Sequence, residues 1–338
     1  MNWFLEIVKA VLAALAVFTF LALIGAMLGV YLERKISGWI QSRLGPKHVG
    51  PQGLLQTVAD TVKLLQKENI VPSNADAITF NIAPLMAAMV GLLAWIIIPF
   101  GPAFGRIIVV RDINIGLLFF IGMASLIVIA ILLGGWSSNN KYALLGGFRS
   151  ASQMISYEIP LALAVMVPIM MAGTLSTVGI VEAQRGGWLG IGNWFIFGLP
   201  GNRWLVVPGF LAFVVFFTAA TAEVNRVPFD LPEAESELVA GYLSEYTGMR
   251  FALFQLGEYA EAFAMAALTS VLFLGGWHGP WLPGIVWFFV KMFALVFVLI
   301  WVRWTYPRLR LDQLLNLSWK GLVPLGFILV LVTGWLLV

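Results

Sequence analysis

The sequence predicts an all-α polytopic membrane protein, and three observations support that prediction. Of the 338 residues, 60% are hydrophobic and only 11% are charged, which leaves too little polar surface for a water-soluble domain of this size. A helix needs about 20 largely apolar residues to cross a bilayer, and such stretches recur about eight times. The formal net charge of +3 is spread over the chain, so no basic run favours nucleic acid as a partner.

The apolar stretches divide the chain into spans of a single membrane domain covering residues 1–338. The first span is longer than the apolar part of a secretory signal and runs directly into charged residues, so we expect it to be retained. An amphipathic helix over 53–68 and an acidic loop over 223–250 are expected between spans. The expected spans are 7–30, 78–99, 117–133, 152–172, 205–222, 251–274, 285–302 and 322–338.

The distribution of Lys and Arg predicts the orientation. The first, third, fifth and seventh loops together contain fourteen of these residues, whereas the opposite loops contain four. Because cytoplasmic loops carry the basic excess, we expect the odd-numbered loops in the cytoplasm and both termini outside. Gly-Gly-Trp at 134–136, 186–188 and 275–277 is typical of a glycine at a helix C-terminus followed by an interfacial tryptophan.

The composition argues against several kinds of redox and catalytic site. Without cysteine the chain cannot hold a cysteine-ligated iron–sulfur cluster or form a disulfide, and its two histidines, His48 and His278, lie far apart in sequence. Walker-type, dinucleotide-binding, paired-histidine and nucleophile-elbow motifs are missing from the sequence. We therefore expect no metal and no cofactor bound by this chain alone, so the electrons of any redox function come from a partner.

The segment between the first two spans has the periodicity of a helix lying on the membrane surface. Such a helix, taken alone, is most often only a surface anchor. Its apolar side holds Leu54, Leu55, Val58, Ala59, Val62 and Leu65, and its polar side holds Gln56, Asp60, Lys63 and Lys67.

Acidic residues are concentrated in one region, because eight of the 17 fall within 39 residues. A solvated acidic face is the simple interpretation of such a region. A dry environment would instead make neighbouring carboxylates share protons as a coupled set. The eight residues are Glu223, Asp230, Glu233, Glu235, Glu237, Glu245, Glu258 and Glu261.

The same region predicts a short helix. Asp230 followed three residues later by a glutamate has the form of a helix start, so we expect a helix from Leu231 to about Tyr246. On it Glu237 and Glu245 would share a stripe with Glu233, which places like charges where they repel by about 0.2–0.5 kcal/mol even when exposed.

Three carboxylates fall inside apolar spans. Glu158 follows Tyr157 in the fourth span, two residues before Pro160, which would free a backbone carbonyl and kink the helix; Glu258 and Glu261 lie one turn apart in the sixth span. An ionised carboxylate at bilayer depth costs a few kcal/mol or more, so such groups usually face the protein interior and mark ion or proton paths. We expect a functional role for Glu158 and Glu258, while Glu261 is equally compatible with a structural one.

Three blocks of sequence carry a family resemblance. The first combines Glu33-Arg34-Lys35, residues 41–46, Gly50-Pro51, Ala59-Asp60, Lys63-Leu64 and Lys67-Glu68. The second runs from Gly135 to Tyr142 and continues with Arg149-Ser150 and residues 155–158, and the third covers 222–242 with Glu245-Tyr246. Together they resemble the quinone-chamber membrane subunits, or H subunits, of the proton-translocating NADH–quinone oxidoreductases (respiratory complex I). Thr57, Lys47 and Ile129 depart from the family pattern, and none of them replaces a carboxylate.

The resemblance implies a membrane subunit of an enzyme complex that completes a narrow chamber for a quinone arriving from the bilayer. It implies, as partners, other membrane subunits and the quinone-site subunits of a peripheral arm, which hold the flavin and the iron–sulfur clusters. It also implies a multi-pass location in the bacterial cytoplasmic membrane.

The resemblance further suggests roles for individual residues. An apolar tunnel for the quinone tail would be framed by the helix over 53–68 with the first and sixth spans. The expected quinone-binding residues are Arg34, Asp60, Lys63, Arg226 and Phe229. The expected proton route and coupling residues are Glu158, Glu223, Glu233, Glu235, Glu237, Glu245, Glu258, Tyr157 and Tyr242.

Other functions remain open at this point. A stand-alone secondary transporter would also bury carboxylates, but it predicts inverted repeats, and the sequence shows no convincing internal duplication. A structural anchor for a peripheral arm would need the loops but not Glu158 or Glu258. An equivalent subunit of a ferredoxin-, F420H2- or hydrogen-linked complex would keep the fold and change only the electron donor.

Overall fold

The computed structural model describes residues 27–103, 106–187, 190–199, 202–231 and 239–338. Within these ranges the chain is mainly helical, which confirms the all-α class. The α-helices are α1 Val30–Ile40, α2 Gln56–Gln66, α3 Ala77–Leu93, α4 Gly116–Ser137, α5 Lys141–Ala172, α6 Thr177–Ala183, α7 Val206–Glu223, α8 Gly248–Phe273, α9 Gly284–Thr305, α10 Leu311–Asn316 and α11 Val323–Leu337.

Seven helical segments of the described residues are long and apolar enough to cross a membrane, which confirms a polytopic protein. They are α3 with the 3-10 turn Ala94–Ile97, α4, α5, α7, α8, α9, and the continuous stretch Leu311–Leu337. These segments overlap the second to eighth expected spans. The first expected span, 7–30, lies almost entirely outside the described residues.

Two helices begin earlier than the hydropathy pattern suggests. Helix α5 starts at Lys141, where the Asn140 side chain accepts a hydrogen bond from the Tyr142 backbone N–H, and it continues through Pro160 to Ala172. The last span is preceded by α10 and joined to it by the π-helical turn Leu317–Leu322. Both extensions carry polar residues, so a hydropathy window cuts them off although the backbone remains helical.

Helices α5 and α8 are the centres of packing. Helix α5 contacts α4, α7 and α11, while α8 contacts α3, α9, α7 and α2. The α3–α8 contact is close because it uses glycine: a Cβ on Gly91 would lie 2.7 Å from the Gly257 carbonyl oxygen, and a Cβ on Gly257 would lie 2.7 Å from that of Ala87. Small residues at a helix crossing let backbones approach in this way.

The short elements lie at the ends of the long helices. A two-stranded antiparallel hairpin pairs β1 Gly101–Ala103 with β2 Arg106–Ile108. The helix α2 confirms a helical segment in the expected amphipathic region, and its apolar residues Val62 and Leu65 are exposed, 46% and 59%.

The expected helix from Leu231 to Tyr246 is wrong in the part that the structure describes. Residues 239–246 contain only the 3-10 turn Gly241–Leu243, and the remaining positions, 232–238, lie outside the described residues. Val239 has φ of 67°, which interrupts a right-handed helix. The Gly241 backbone packs on α5, where a Cβ on Gly146 would lie 2.7 Å from the Gly241 Cα.

The Gly-Gly-Trp interpretation holds only in part. Gly275 and Gly276 follow the end of α8 with positive φ, as expected of a helix C-terminus, but Trp277 is buried and is not an interfacial anchor. At 134–136 the expected helix end is wrong, because both glycines continue α4, whereas the tryptophan is exposed near the end of that helix. The glycines at 186–187 follow α6 with positive φ, as expected, and Trp188 lies outside the described residues.

Candidate functional site

A cavity of about 470 Å³ opens between α1, α2 and α8 and is closed on one side by the end of α9. Its size falls in the range of small-molecule sites, about 300–1,000 Å³. Apolar side chains such as Leu64, Phe251 and Trp304 form much of its wall. The charged and phenolic groups that line it are Glu33, Arg34, Asp60, Arg226, Glu258, Tyr259 and Arg303.

One ion pair joins two helices at the cavity wall. Arg34 of α1 reaches Asp60 of α2 with an Nη1–Oδ2 distance of 2.5 Å, and Gln56 donates to the other carboxylate oxygen at 3.2 Å. The side chains are 45% and 27% exposed, so water screens the pair and its contribution to stability is modest, about 0–1 kcal/mol. The pair fixes the position of α2 beside the cavity.

Glu33 collects three donors at the centre of the cavity wall. Its carboxylate accepts a hydrogen bond from the Tyr259 hydroxyl at 2.5 Å and forms ion pairs with Arg226, at 3.4 Å, and with Arg303. These partners come from α8, from the segment after α7 and from α9. A buried carboxylate is stable as a charge only when it is paired and hydrogen-bonded, and Glu33 meets both conditions.

Arg226 connects the cavity to a second carboxylate. Its Nη1 faces Glu33, its Nη2 lies 3.1 Å from Glu258 Oε1, and its guanidinium carbon lies 4.4 Å from the centre of the Tyr259 ring. The planar guanidinium can contact two carboxylates and an aromatic face at once, which a lysine cannot do. With Arg303, the group has two cations and two carboxylates. We call Glu33, Arg226, Glu258 and Arg303 the paired cluster.

A narrow apolar crevice of about 30 Å³ continues from the paired cluster between α8 and α9. It shares Glu33, Arg226, Tyr259 and Arg303 with the larger cavity. Beyond them its walls are Ala262, Phe263, Val296, Leu299 and Ile300. The site therefore has a polar head and an apolar extension into the helix bundle.

A second set of carboxylates lies deeper in the bundle. Glu223, at the end of α7, and Glu261, on α8, are 2% and 5% exposed, and each has a carboxylate oxygen without a hydrogen-bond partner among the described residues. Glu223 interacts electrostatically with Glu158, and Glu261 with Glu223 and Glu258. Glu158 accepts a hydrogen bond from Ser125 of α4.

These electrostatic interactions order the carboxylates into a series that begins at the cavity: Glu258, Glu261, Glu223 and Glu158. The last three have no Lys or Arg within ion-pair distance in the described ranges, and we call them the unpaired chain. An ionised carboxylate in such surroundings is costly. The unpaired chain is therefore a set of neighbouring carboxylates without a compensating cation among the described residues.

The segment that leads from α7 to the acidic loop is fixed at both sides. The Leu309 N–H donates to the Pro228 carbonyl at 3.0 Å, and Arg308 lies 3.3 Å from the Asp230 carboxylate. Burial raises the pKa of Asp230 above its usual value, although Arg308 and Arg303 act in the opposite direction. On the α5 side, Gln153 donates to the Ala222 carbonyl at 2.7 Å.

The structure brings most of the expected quinone-binding residues together but not all. Arg34, Asp60 and Arg226 line the cavity. Lys63 is exposed and does not line the cavity. The face of α2 that turns toward α8 lies between the polar and the apolar sides expected from the periodicity. Phe229 is buried against Tyr157, with ring centres 5.4 Å apart, and also lies outside the lining.

The expected proton-route residues separate into groups. Glu158, Glu223 and Glu258 belong to the series described above, whereas the Tyr157 hydroxyl donates to the Leu314 carbonyl at 3.0 Å. Tyr242 is buried against the Phe254 ring.

Glu245 accepts a hydrogen bond from Asn140 at 2.7 Å, at the α4–α5 turn and away from the series. Glu233, Glu235 and Glu237 lie outside the described residues.

Four residues of the site were not identified from the sequence: Glu33, Tyr259, Arg303 and Ser125. Arg303 ends an apolar stretch, where a basic residue also serves to set membrane orientation. Glu33 stands beside Arg34 and Lys35 in a charged run, so its position gives no reason to pair it with Arg303. The one available signal is that Tyr259 follows Glu258 within a span, where a phenol needs a polar partner.

Within the described ranges, His, Asp and Glu side chains form no group of three that could hold a metal ion. The site has carboxylates, guanidinium groups, phenols and an apolar extension. Such groups can bind a polar head group and exchange protons with it.

Comparison with known proteins identifies similar sequences over nearly the whole chain. The family described as NADH dehydrogenase matches residues 12–334. An NADH-quinone oxidoreductase H subunit of Geobacter metallireducens is 49% identical over 96% of this chain and 96% of its own length. The corresponding H subunit of Geobacillus kaustophilus is 49% identical over 90% and 87%, and that of Rhodospirillum rubrum is 46% identical over 96% and 95%.

Proposed function

The chain belongs to the NADH dehydrogenase family as a membrane-embedded H subunit of an NADH–quinone oxidoreductase, and we propose that the cavity between α1, α2 and α8 receives the quinone head group. The observation that carries this proposal is the paired cluster on the wall of a cavity of about 470 Å³, where guanidinium donors and apolar side chains line a space large enough for a quinone head group. Other subunits of the complex are its partners, and the peripheral-arm subunits would supply the electrons.

The polar groups of the cavity have distinct tasks in this proposal. Arg226 and Arg303 have more N–H groups than their carboxylate partners use, so they can donate hydrogen bonds to quinone oxygens, and their positive charge stabilises the negative charge that appears as electrons arrive. The Tyr259 hydroxyl donates to Glu33 and so holds that carboxylate in place. The Arg34–Asp60 pair holds α2 in place at the entrance. Because the chain contains no cysteine, flavin and iron–sulfur chemistry would belong to partner subunits, and this chain contributes binding, electrostatics and a proton path.

Reduction of the quinone would act on the unpaired chain through charge. At an effective dielectric near 20, a charge about 8 Å from a carboxylate changes its energy by roughly 2 kcal/mol, or about 1.5 pKa units. Glu258, a member of the paired cluster, pairs with Arg226 and also interacts with Glu261 of the unpaired chain. A charge change at the cavity would thus move protons along Glu261, Glu223 and Glu158 toward neighbouring membrane subunits.

The chain would lie in the bacterial cytoplasmic membrane with both termini outside.

Filling the cavity tests the binding proposal. Thr61 and Val62 are adjacent on α2, but Thr61 lines the cavity whereas Val62 points away from it. In the assembled complex, Thr61→Trp should raise the KM for a short-chain quinone at least tenfold and leave NADH oxidation by a water-soluble acceptor unchanged. The matched control Val62→Trp should change the KM less than twofold. Equal KM values in the two variants would refute a quinone site in this cavity.

Glu158 tests the coupling proposal. Glu158→Gln keeps the shape of the side chain and removes its ability to exchange a proton. We expect an assembled complex whose proton pumping in reconstituted vesicles and whose coupled turnover fall at least threefold. Unchanged pumping would remove Glu158 from the route, whereas loss of assembly alone would support a purely structural role.

A further inference from the structure

A second buried charge lies at the opposite end of α8 from the cavity. Lys291 of α9 is 6% exposed, and its ammonium donates to the backbone carbonyls of Leu274, Gly276 and His278 at 2.5, 2.8 and 2.6 Å. It also lies 4.0 Å from the centre of the Trp194 ring. All three donors of the ammonium are therefore used, and among the described residues no carboxylate pairs with it.

Of the three carbonyls, that of Leu274 is at the C-cap of α8, and those of Gly276 and His278 lie in the turn that follows. The last carbonyls of a helix have no partner within the helix, and they carry the negative end of its dipole. Gly275 and Gly276 adopt φ of 68° and 48°, which turns the chain back so that the carbonyls of the turn face the same ammonium as that of Leu274. A Cβ on Gly275 would lie 2.5 Å from the Trp194 ring. Lys291 is thus a cation cap built into the end of this helix.

A neutral side chain holds the same helix end from another direction. Gln184, which follows α6 and is fully buried, donates to the Val271 carbonyl at 2.8 Å and accepts from the Gly275 N–H at 2.9 Å. The Phe195 N–H also donates to its oxygen at 3.2 Å. The C-terminal end of α8 is therefore fixed by α9 and by the segment after α6.

Helix α9 contacts the functional residues of α8 at its other end. Arg303 of α9 pairs with Glu33, which accepts the Tyr259 hydroxyl of α8. From Glu261 to Leu274 the helix rises about 20 Å at 1.5 Å per residue. Lys291 therefore connects α9 to the C-terminal end of α8, and Arg303 connects it, through Glu33, to Tyr259 near the middle of the same helix. A shift of α8 along its axis would change both connections together.

We propose that Lys291 is a positioning residue of the coupling machinery: by capping the C-terminal end of α8, it fixes the axial register of α8 against α9 and so the place of Glu258, Tyr259 and Glu261. This inference rests on the proposed function of the cavity. Lys291 would then affect quinone binding and proton transfer from a distance, through α8, the helix that carries Glu258, Tyr259 and Glu261.

The test compares Lys291→Met, which keeps the length of the side chain and removes its charge and donors, with Lys291→Arg, which keeps both. The exposed Lys320 gives the matched control Lys320→Met. Each variant is measured in the assembled complex, and the amount of complex is normalised by NADH oxidation with a water-soluble acceptor. The KM for a short-chain quinone and the number of protons pumped per electron are then determined.

For Lys291→Met we expect a KM at least three times higher and a proton-to-electron ratio reduced by half or more, with a smaller change for Lys291→Arg and none for Lys320→Met. A lysine that only supports folding would lower the amount of complex but leave both quantities unchanged per complex. That result would overturn the inference. If Lys291→Met does not assemble, Lys291→Gln, which keeps an N–H donor group but removes the charge and shortens the side chain, takes its place, and an unchanged KM and an unchanged ratio in that variant would overturn the inference as well.

The two proposals fail in different ways. If Thr61→Trp raises the KM for quinone and Lys291→Met does not, the cavity assignment stands and the role of Lys291 is wrong. If neither variant changes the KM, the cavity itself is not the quinone site.

Discussion

The paired cluster and the unpaired chain use the same residue type for different electrostatic purposes. Glu33 and Glu258 each contact a guanidinium, and Glu33 also accepts a phenol hydrogen bond. Glu223 and Glu261 are equally buried, but within the described ranges they have no cation beside them. Glu33 faces two guanidinium groups and a phenol, which stabilise its charge, whereas a carboxylate without cations is more sensitive to the charges around it. The first set is suited to binding and the second to moving protons.

The largest effect is expected from replacing Arg226, the cation that pairs with both Glu33 and Glu258. Arg226→Met leaves Glu258 buried without its ion-pair partner and weakens the set of donors on Glu33. Breaking a buried pair in this way costs about 3–5 kcal/mol. We expect quinone reductase turnover to fall more than a hundredfold and the amount of assembled complex to drop, measured by enzyme assay and native gel electrophoresis.

A second substitution checks the cause of that loss. Adding Glu258→Gln to Arg226→Met removes the uncompensated charge, so the double variant should assemble better than Arg226→Met alone, although quinone turnover stays low. If the double variant assembles no better, the orphaned charge of Glu258 is not the reason for the loss.

The next test exchanges one carboxylate of each set for its amide. Glu33→Gln removes the charge that two arginines face, and a hydrogen bond to a charged group contributes about 1.5–3 kcal/mol, so the KM for quinone should rise at least tenfold. Glu223→Gln removes only a titratable proton. It should leave the KM within twofold of the wild-type value and reduce proton pumping at least fivefold in vesicles. A similar KM change in both variants would show that the two sets are not distinct.

Part of the difference between the two sets of carboxylates could be predicted from the hydropathy and charge of single residues. Glu158 and Glu258 stand out because a carboxylate inside an apolar span is costly wherever the span packs. The membrane class follows from composition for the same reason. These features need no knowledge of which helices are neighbours.

The pairing itself could not be predicted, because it joins residues distant in sequence. Arg226 and Glu33 are 193 positions apart and Arg303 and Glu33 are 270, so only tertiary packing brings them together. Lys63 illustrates the same limit within one helix: the periodicity of α2 separates its faces, but the contact with α8 decides which face meets the cavity. The 3-10 turn at Gly241–Leu243 replaces an expected helix because the loop packs tightly on α5.

The smallest expected effect comes from Ser125, the one hydrogen-bond partner of Glu158 among the described residues. The single Ser125 hydroxyl proton has two acceptors within reach, the Glu158 carboxylate and the Ile121 carbonyl one turn earlier at 3.1 Å. Ser125→Ala removes about 1 kcal/mol of interaction with the carboxylate, so coupled turnover and pumping should fall about two- to fivefold with normal assembly. Ser152→Ala is the matched control, since its hydroxyl donates only to the Phe148 carbonyl on the exposed side of α5, and its activity should equal that of the wild type. Equal activity of the two variants would mean that the unpaired chain does not depend on a hydrogen bond to Glu158, and the contrast with the paired cluster would then rest on charge alone.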